Sequence, residues 1–388
     1  MSTYEPRKVC LLTSVHGPFD VRIFQKEARS LVKKGYSVTI VAPHSEDTQR
    51  DGVEIKAVPI PRTRPERMSL TLWRLFWSAL DTKASVFHFH DPELIPVGML
   101  LKLLGKRVVY DVHEDVPADI LDKSWIAPSL RSPISRVAAW TETVAACRFD
   151  AIVAATPRIA NSFPNIKTLT VQNFPQADVQ LDVETTPYGD REPLVAYVGG
   201  ISELRGAREM IEAMSLLSES TPARLQLAGF FDPPESQQGL AKEQGWRRVD
   251  FLGWLSPTEV RELLGRSRLG VVVFHPIENH IMSQPNKLFE YMSAGLPVVA
   301  SDFPLWRSII QEARCGILVD PTKPTAIAEA IRWFLERPTE AEGMGLRGRE
   351  AVRRIYNWEN EEQKLVELYA RLMNGNSLRT DYQPIART

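Results

Sequence analysis

The sequence predicts an α/β protein made of two Rossmann-like, doubly wound domains joined by a linker. Short β-branched runs alternate with longer segments of helical spacing through the first half, and the same alternation starts afresh in the second. Between the halves, residues 176–192 are rich in Asp, Glu, Thr and Pro and carry little periodicity. Alternating strands and helices argue for a parallel sheet with helices on both faces. A chain of 388 residues is also too long for one core at about 100–200 residues per domain.

In the first domain, residues 1–175, the strand runs are Val9–Leu12, Ser37–Val41, Val53–Val58, Val86–Phe89 and Arg107–Tyr110. Several are almost wholly apolar, as strands buried on both faces are. Phe24, Ala28, Leu31 and Val32 recur at i, i+4, i+7 and i+8, a helix stripe that Gly35 stops. In the second domain, residues 193–354, the strand runs are Leu194–Val198, Arg224–Ala228, Val249–Leu252, Gly270–Phe274, Pro297–Ala300 and Gly316–Val319. Helical stretches at Ala207–Leu217, Pro257–Leu264, Asn286–Ser293 and Thr322–Phe334 separate them. Residues 355–374 read as a closing helix and 375–388 as a flexible tail. Ligands of open α/β sheets bind beyond the strand C-terminal ends, so a cleft between two such domains is the expected site.

The composition narrows the partners. With 47 Lys+Arg against 48 Asp+Glu the formal charge is −1, which offers no bulk electrostatic footprint for nucleic acid. Three scattered cysteines, none in a C-x-x-C pair, exclude a disulfide scaffold and a cysteine-built metal site and suit a cytoplasmic setting. The polar start is not expected to be a signal peptide, and no apolar run is long enough to span a bilayer.

The motifs point to a diphosphate. No G-x-G-x-x-G follows the first strand and no P-loop is present, so nicotinamide enzymes and P-loop NTPases lose their main support. Gly199-Gly200 follows the first strand of domain two, and Arg205-Gly206 stands at the mouth of the next helix. Backbone N–H groups at a helix start beside a guanidinium make a diphosphate site, though the same residues also describe a plain βα turn. In the segment Ser283 to Asp302, Pro285 suits a first helical turn, Leu288, Phe289 and Met292 pack inward, and Gly295 closes the helix. Glu290 on that helix is either a solvated charge or a two-oxygen acceptor for vicinal sugar hydroxyls. Asn286 and Lys287 in its first turn are candidates for the phosphates.

Taken together these segments resemble the family 4 retaining glycosyltransferases of the GT-B fold, and the resemblance covers nearly the whole chain. On the first side it is carried by His16 to Glu27, Gly35-Tyr-Ser-Val38, His88-Phe-His-Asp-Pro-Glu93 and Val109-Tyr-Asp-Val-His-Glu114. On the second it is carried by Tyr197-Val-Gly-Gly200, Arg205-Gly206, Leu227-Ala-Gly229, Phe251-Leu-Gly253 and Ser283 to Asp302. The resemblance implies an acceptor domain and a donor domain facing across a cleft, with the C-terminal helix crossing back to domain one. It implies that Glu290 grips the donor ribose, Arg205 the diphosphate, and that His113 faces the reacting sugar. The family's first glutamate falls at Met282, with Glu278, Asn279 and His280 as alternatives in the preceding loop. A usual arginine falls at Gly200, with Lys287 as the replacement.

The implied activity is a hexosyltransferase-type reaction on a nucleoside-diphosphate sugar, UDP among the candidate bases. The acceptor is a glycan or lipid-linked group of surface polysaccharide assembly, and neither a cofactor nor a metal is required. Retention is attributed to front-face attack in which the leaving phosphate takes the acceptor's proton. Asp20, Asp91 and His113 are the expected acceptor contacts, although Asp20 and Arg22 also read as a helix cap and a surface pair. His88 and His90 lack a third ligand at sensible spacing and read as core or edge packing. Alternatives are a nucleotide-sugar 2-epimerase of the same fold and a non-catalytic sugar-nucleotide-binding subunit. Arginines 62, 64, 67 and 74 interleave with Trp73, Phe76 and Trp77, so residues 62–80 read either as membrane-surface contact at the inner face or as ordinary packing.

Overall fold

A computed structural model describes residues 7–123, 126–176 and 186–374. Residues 177–185 of the expected linker and the whole expected tail, 375–388, lie outside them. The chain divides into two compact units, one made of residues 1–173 and 360–388 and the other of residues 174–359.

The first unit holds an eight-stranded sheet: β1 (Lys8–Leu12), β2 (Ser37–Pro43), β3 (Thr48–Arg50), β4 (Val53–Val58), β5 (Val86–Phe89), β6 (Arg107–Val112), β7 (Ala151–Ala154) and β8 (Thr168–Thr170). Their order is β3-β4-β2-β1-β5-β6-β7-β8, parallel except for the β3–β4 hairpin. Three of these strands escape the sequence reading: β3 and β8 are three residues long, and β7 is four residues between helices. The Phe24 stripe is helical, but Val21–Ala28 winds as a π-helix before α1 (Arg29–Lys33). Gly35 ends it at φ +83°.

The other helices of this unit are α2 (Arg64–Glu66), α3 (Leu72–Asp81), α4 (Ile95–Leu103), α5 (Val116–Asp122), α6 (Pro128–Arg148) and α7 (Pro157–Asn161). A core of Cys10, Phe87, Phe89, Tyr110, Phe149 and Ile152 lies beneath them.

The second unit has a six-stranded, wholly parallel sheet in the order β11-β10-β9-β12-β13-β14. Its strands are β9 (Leu194–Val198), β10 (Arg224–Ala228), β11 (Val249–Gly253), β12 (Leu269–Val272), β13 (Val298–Ser301) and β14 (Gly316–Val319). Around it run α8 (Ala207–Ser215), α9 (Ser236–Leu240), α10 (Pro257–Arg266), α11 (Glu278–Ile281), α12 (Asn286–Ser293), α13 (Pro304–Ala313), α14 (Pro324–Glu336) and α15 (Pro338–Arg354). A closing helix, α16 (Trp358–Met373), returns the chain to the first unit from residue 360.

Each sheet reverses its strand order once, at β1/β5 and at β9/β12. Loops that leave such a point diverge to opposite faces and open a crevice. The Thr13–His16 and His90–Asp91 segments leave the first reversal, and Gly199-Gly200 and Val273–His275 leave the second.

Candidate functional site

Beyond β9 the chain turns through Gly199 at φ +116° and Gly200. A Cβ on Gly199 would come within 3.2 Å of the Lys287 Nζ, and one on Gly200 would meet the Arg205 Nη1 at 2.5 Å. Position 200 is therefore bare because Arg205 folds back over it, its Nη1 donating to the Gly200 carbonyl at 3.4 Å. The Arg205 guanidinium thus covers the position at which the resemblance places an arginine, and the Lys287 Nζ lies beside the neighbouring Gly199.

Lys287 belongs to the first turn of α12 and is buried, 8% exposed. Its Nζ lies 3.7 Å from the centre of the Tyr197 ring and has no hydrogen-bond partner among the described residues. Burial, and after it the nearby Arg205 charge, hold this ammonium well below the usual lysine range. Such a group costs stability until an anion joins it. Two tyrosines to which the sequence reading gives no role of their own hold the frame. The Tyr197 hydroxyl donates to the Gly200 carbonyl at 2.6 Å, and the Val198 N–H donates to the Tyr291 hydroxyl at 2.9 Å.

Gly199, Gly200, Arg205 and Lys287 thus come together. Glu290 is half-buried one turn along α12, near enough for its carboxylate to act on the Lys287 charge. Asn286 and Glu278 are exposed and Asn279 is half-buried. Met282 is exposed just after α11. The Nδ1 of His280 faces the His275 carbonyl at 3.2 Å.

The first unit gathers charge differently. Asp20 caps the π-helix, its Oδ1 accepting from the Arg22 and Ile23 N–H groups at 2.8 and 3.1 Å. The surface pair read as one option for Arg22 is corrected by burial: Arg22 is 3% exposed and runs into the core. Its Nε and Nη2 donate to Asp111 at 3.1 and 2.9 Å, and the Nε stands 3.0 Å from Glu27. Asp91 is also buried, and its Oδ2 accepts from Thr13 Oγ1 at 2.8 Å and the Ser14 N–H at 2.6 Å, so it organises the β1 loop.

The missing third ligand of His88 and His90 is supplied by the tertiary structure. Glu27 and Asp111 join them, with donor atoms of all four within 4.8 Å of one another. These are not plain packing histidines. The charge that a cation would bring is already present as the Arg22 guanidinium, which takes both oxygens of Asp111. Burial raises Glu27 well above the usual carboxylic range. Burial opposes ionisation of Asp111 most strongly of any single cause, but Arg22 together with His113, His88 and His90 outweighs it and holds that carboxyl well below its ordinary value.

His113 lies at the edge of this network. Its Nε2 is 3.1 Å from His90 Nδ1 and 3.3 Å from Asp111 Oδ1, and its ring stacks on His16. With Nε2 engaged inward, Nδ1 is the nitrogen left for a ligand. Burial lowers its pKa to about 4, so the ring is neutral near pH 7. Beside β6 lies a cavity of about 190 Å³ lined by Glu114, Asp115, Pro117 and Glu142. Within this unit, burial pushes Glu142, which accepts from Tyr110 at 2.8 Å, up to about 7. The alternation of His88 and His90, and of Asp111 and His113, was the available signal that these side chains share a face. Nothing in the sequence tied Arg22 and Glu27 to them.

Comparisons with known proteins place the chain in a family. Residues 21–167 match the family described as glycosyl transferase 4-like domain, and residues 192–337 match glycosyl transferases group 1. The D-inositol 3-phosphate glycosyltransferase of Corynebacterium urealyticum is 28% identical over 187 residues, 46% of this chain and 43% of its own length. The match thus spans less than half of that relative. Among solved structures, sucrose-phosphate synthase from Thermosynechococcus elongatus aligns with a TM-score of 0.74 at 18% identity, covering 95% of this chain and all of the other. Anabaena Alr3699/HepE in complex with UDP-glucose aligns at 0.71 and 13% identity, covering 94% and 99%. At these identities the structural likeness establishes the fold.

Proposed function

This chain belongs to the glycosyltransferases, and on that premise we propose that it transfers a sugar, with retention, from a nucleoside-diphosphate donor to a glycan or lipid-linked acceptor. The observation that carries the donor is the buried Lys287 ammonium without a hydrogen-bond partner, with Arg205 beside it over a bare glycine turn. A buried and a half-buried basic side chain beside a glycine turn fit a diphosphate. The UDP-glucose bound by the Anabaena protein favours uracil as the base. Glu290 is assigned the ribose hydroxyls, with Asn286, Glu278 and Asn279 as further donor contacts.

In the reaction, the anomeric C–O bond to the diphosphate breaks and its electron pair stays on the phosphate oxygen. Arg205, Lys287 and backbone N–H groups stabilise the charge that develops there. The acceptor hydroxyl attacks the same face and its proton passes to the departing phosphate oxygen, so no side chain need act as base. His113, neutral and held from behind by His90 and Asp111, orients the reacting sugar through Nδ1. The polar groups beside it in the first unit, the Asp20 and Asp91 loops and the Glu114–Glu142 cavity, are assigned to the acceptor.

A role in surface polysaccharide assembly at the inner face of a membrane fits a lipid-linked acceptor. Contact through residues 62–80 is supported by the exposure of Met68, Leu70, Trp73 and Trp77. Among the described residues no helix is long and apolar enough to cross a membrane.

A thermal-shift panel of UDP-, GDP-, ADP- and TDP-sugars tests the donor, since a ligand specific for the folded state raises its melting temperature. A shift for one base confirms the assignment, and a flat response across the panel sinks it. Anomeric analysis of the product tests retention, and an inverted linkage ends that part of the reading.

A further inference from the structure

Helix α6 is built inside out. Its inward face is small or polar: Ala145 and Ala146 are 2% and 0% exposed, Ser135 donates to the Pro117 carbonyl at 2.7 Å, and Glu142 accepts from Tyr110. Its large apolar side chains point the other way. Leu130, Ile134, Val137, Trp140 and Val144 are all exposed, Val137 and Trp140 by 63% and 68%. Their spacing of three and four residues draws one stripe along a helix of 21 residues, about 30 Å long. A helix that only packed on the sheet would carry these residues inward, so the stripe meets something outside the unit.

The stripe does not stand alone. The connections β4→β5, β5→β6 and β6→β7 all step in one direction along the sheet, so right-handed crossovers put α3, α4 and α6 on one face. Residues of all three share the core beneath, and α4 touches both neighbours. On that layer α3 exposes Trp73 and Trp77. The charge on the outward side of α6 has one sign. Arg136 and Arg148 are exposed, and the only carboxylate of the helix, Glu142, is buried.

We propose that this helical layer, centred on the outward face of α6, is a docking surface for an anionic lipid bilayer. Exposed tryptophans beside arginines suit the headgroup boundary, where apolar side chains enter the acyl region and cations meet phosphate. A second copy of the chain is the poorer occupant, because two such faces would set arginine against arginine. The inference extends the membrane contact proposed for residues 62–80 and assigns α6 the larger share. It is independent of sugar transfer, since donor binding resides in the other unit.

The test is co-sedimentation of the full chain with vesicles of phosphatidylcholine, with and without phosphatidylglycerol. Binding should require the anionic lipid and weaken with salt. The double substitution Val137→Ser/Trp140→Ser should lower it about tenfold or more, and Trp77→Ser should lower it less. Both variants alter exposed positions, so the thermal shift given by UDP should stay unchanged and serve as the folding control. The proposal is overturned if no vesicle binds the chain, or if the α6 double variant binds as the parent does. It is equally overturned if the parent is a dimer that this double variant dissolves.

Discussion

The two strand-order reversals of this molecule carry similar residue types and use them in opposite ways. In the first unit the buried Arg22 guanidinium faces Asp111 and Glu27, and His88 and His90 lie against the same two carboxyl groups. In the second, Arg205 and Lys287 lie side by side with no carboxylate bonded to the lysine Nζ. A closed network rigidifies what it touches, which here is His113. An open pair of cations remains costly until an anion arrives. Burial alone therefore does not mark a ligand site; buried charge left unbalanced does.

The largest effect should come from opening the closed network. Arg22→Met leaves Asp111 buried and unpaired, which costs about 3–5 kcal/mol in denaturant unfolding. A loss below about 1 kcal/mol would mean that the network is incidental to stability. The same type of change in the open site should act with the opposite sign. Lys287→Met should leave the free protein as stable or more so, and weaken the nucleoside diphosphate about 10–100-fold by calorimetry. If the variant is destabilised and still binds, the contrast between the regions is wrong.

Arg205→Ala sharpens it further, since it should weaken the diphosphate more than the nucleoside alone, whereas Glu290→Ala should weaken both by about tenfold. Equal losses across all four ligand and variant combinations would deny separate roles to these residues. Proton linkage gives a further reading. Because the folded-state pKa of Lys287 lies below 10.5, the unfolded chain binds the extra proton and stability rises with pH through that window. Donor binding should raise that pKa again, so calorimetry in buffers of different ionisation enthalpy should show proton uptake that Lys287→Met abolishes.

The smallest effect belongs to His113. Its pKa is about 4 in the folded chain against 6.5 when unfolded, so stability should fall as pH drops from 6.5 toward 4. The ring is about a fifth exposed, so solvent screens part of that change. His113→Phe should flatten that limb of the melting profile, and an unchanged slope would assign it to other groups.

Much of the proposed donor site was legible in the sequence because its parts are local. Gly199-Gly200, Arg205 and the Asn286–Glu290 turn each lie where a strand ends or a helix begins, and those positions follow from periodicity and from Gly and Pro placement. The distribution of apolar residues likewise fixed two parallel α/β units and the stop at Gly35. Three things waited for the tertiary structure. Arg205 fills the space over Gly200, which a linear motif registers only as a missing arginine. Arg22 and Glu27 reach Asp111, His88 and His90 across spans of 61 to 89 residues, and a π-wound turn aims them inward. Residues 128–148 receive no reading from the sequence, and only packing reveals that α6 buries its small face and exposes its apolar stripe. The physical reason is the same in each case: sequence period fixes which side chains share a face, while the partner of that face, and so the free energy of burying or exposing it, is set by elements far away in the chain.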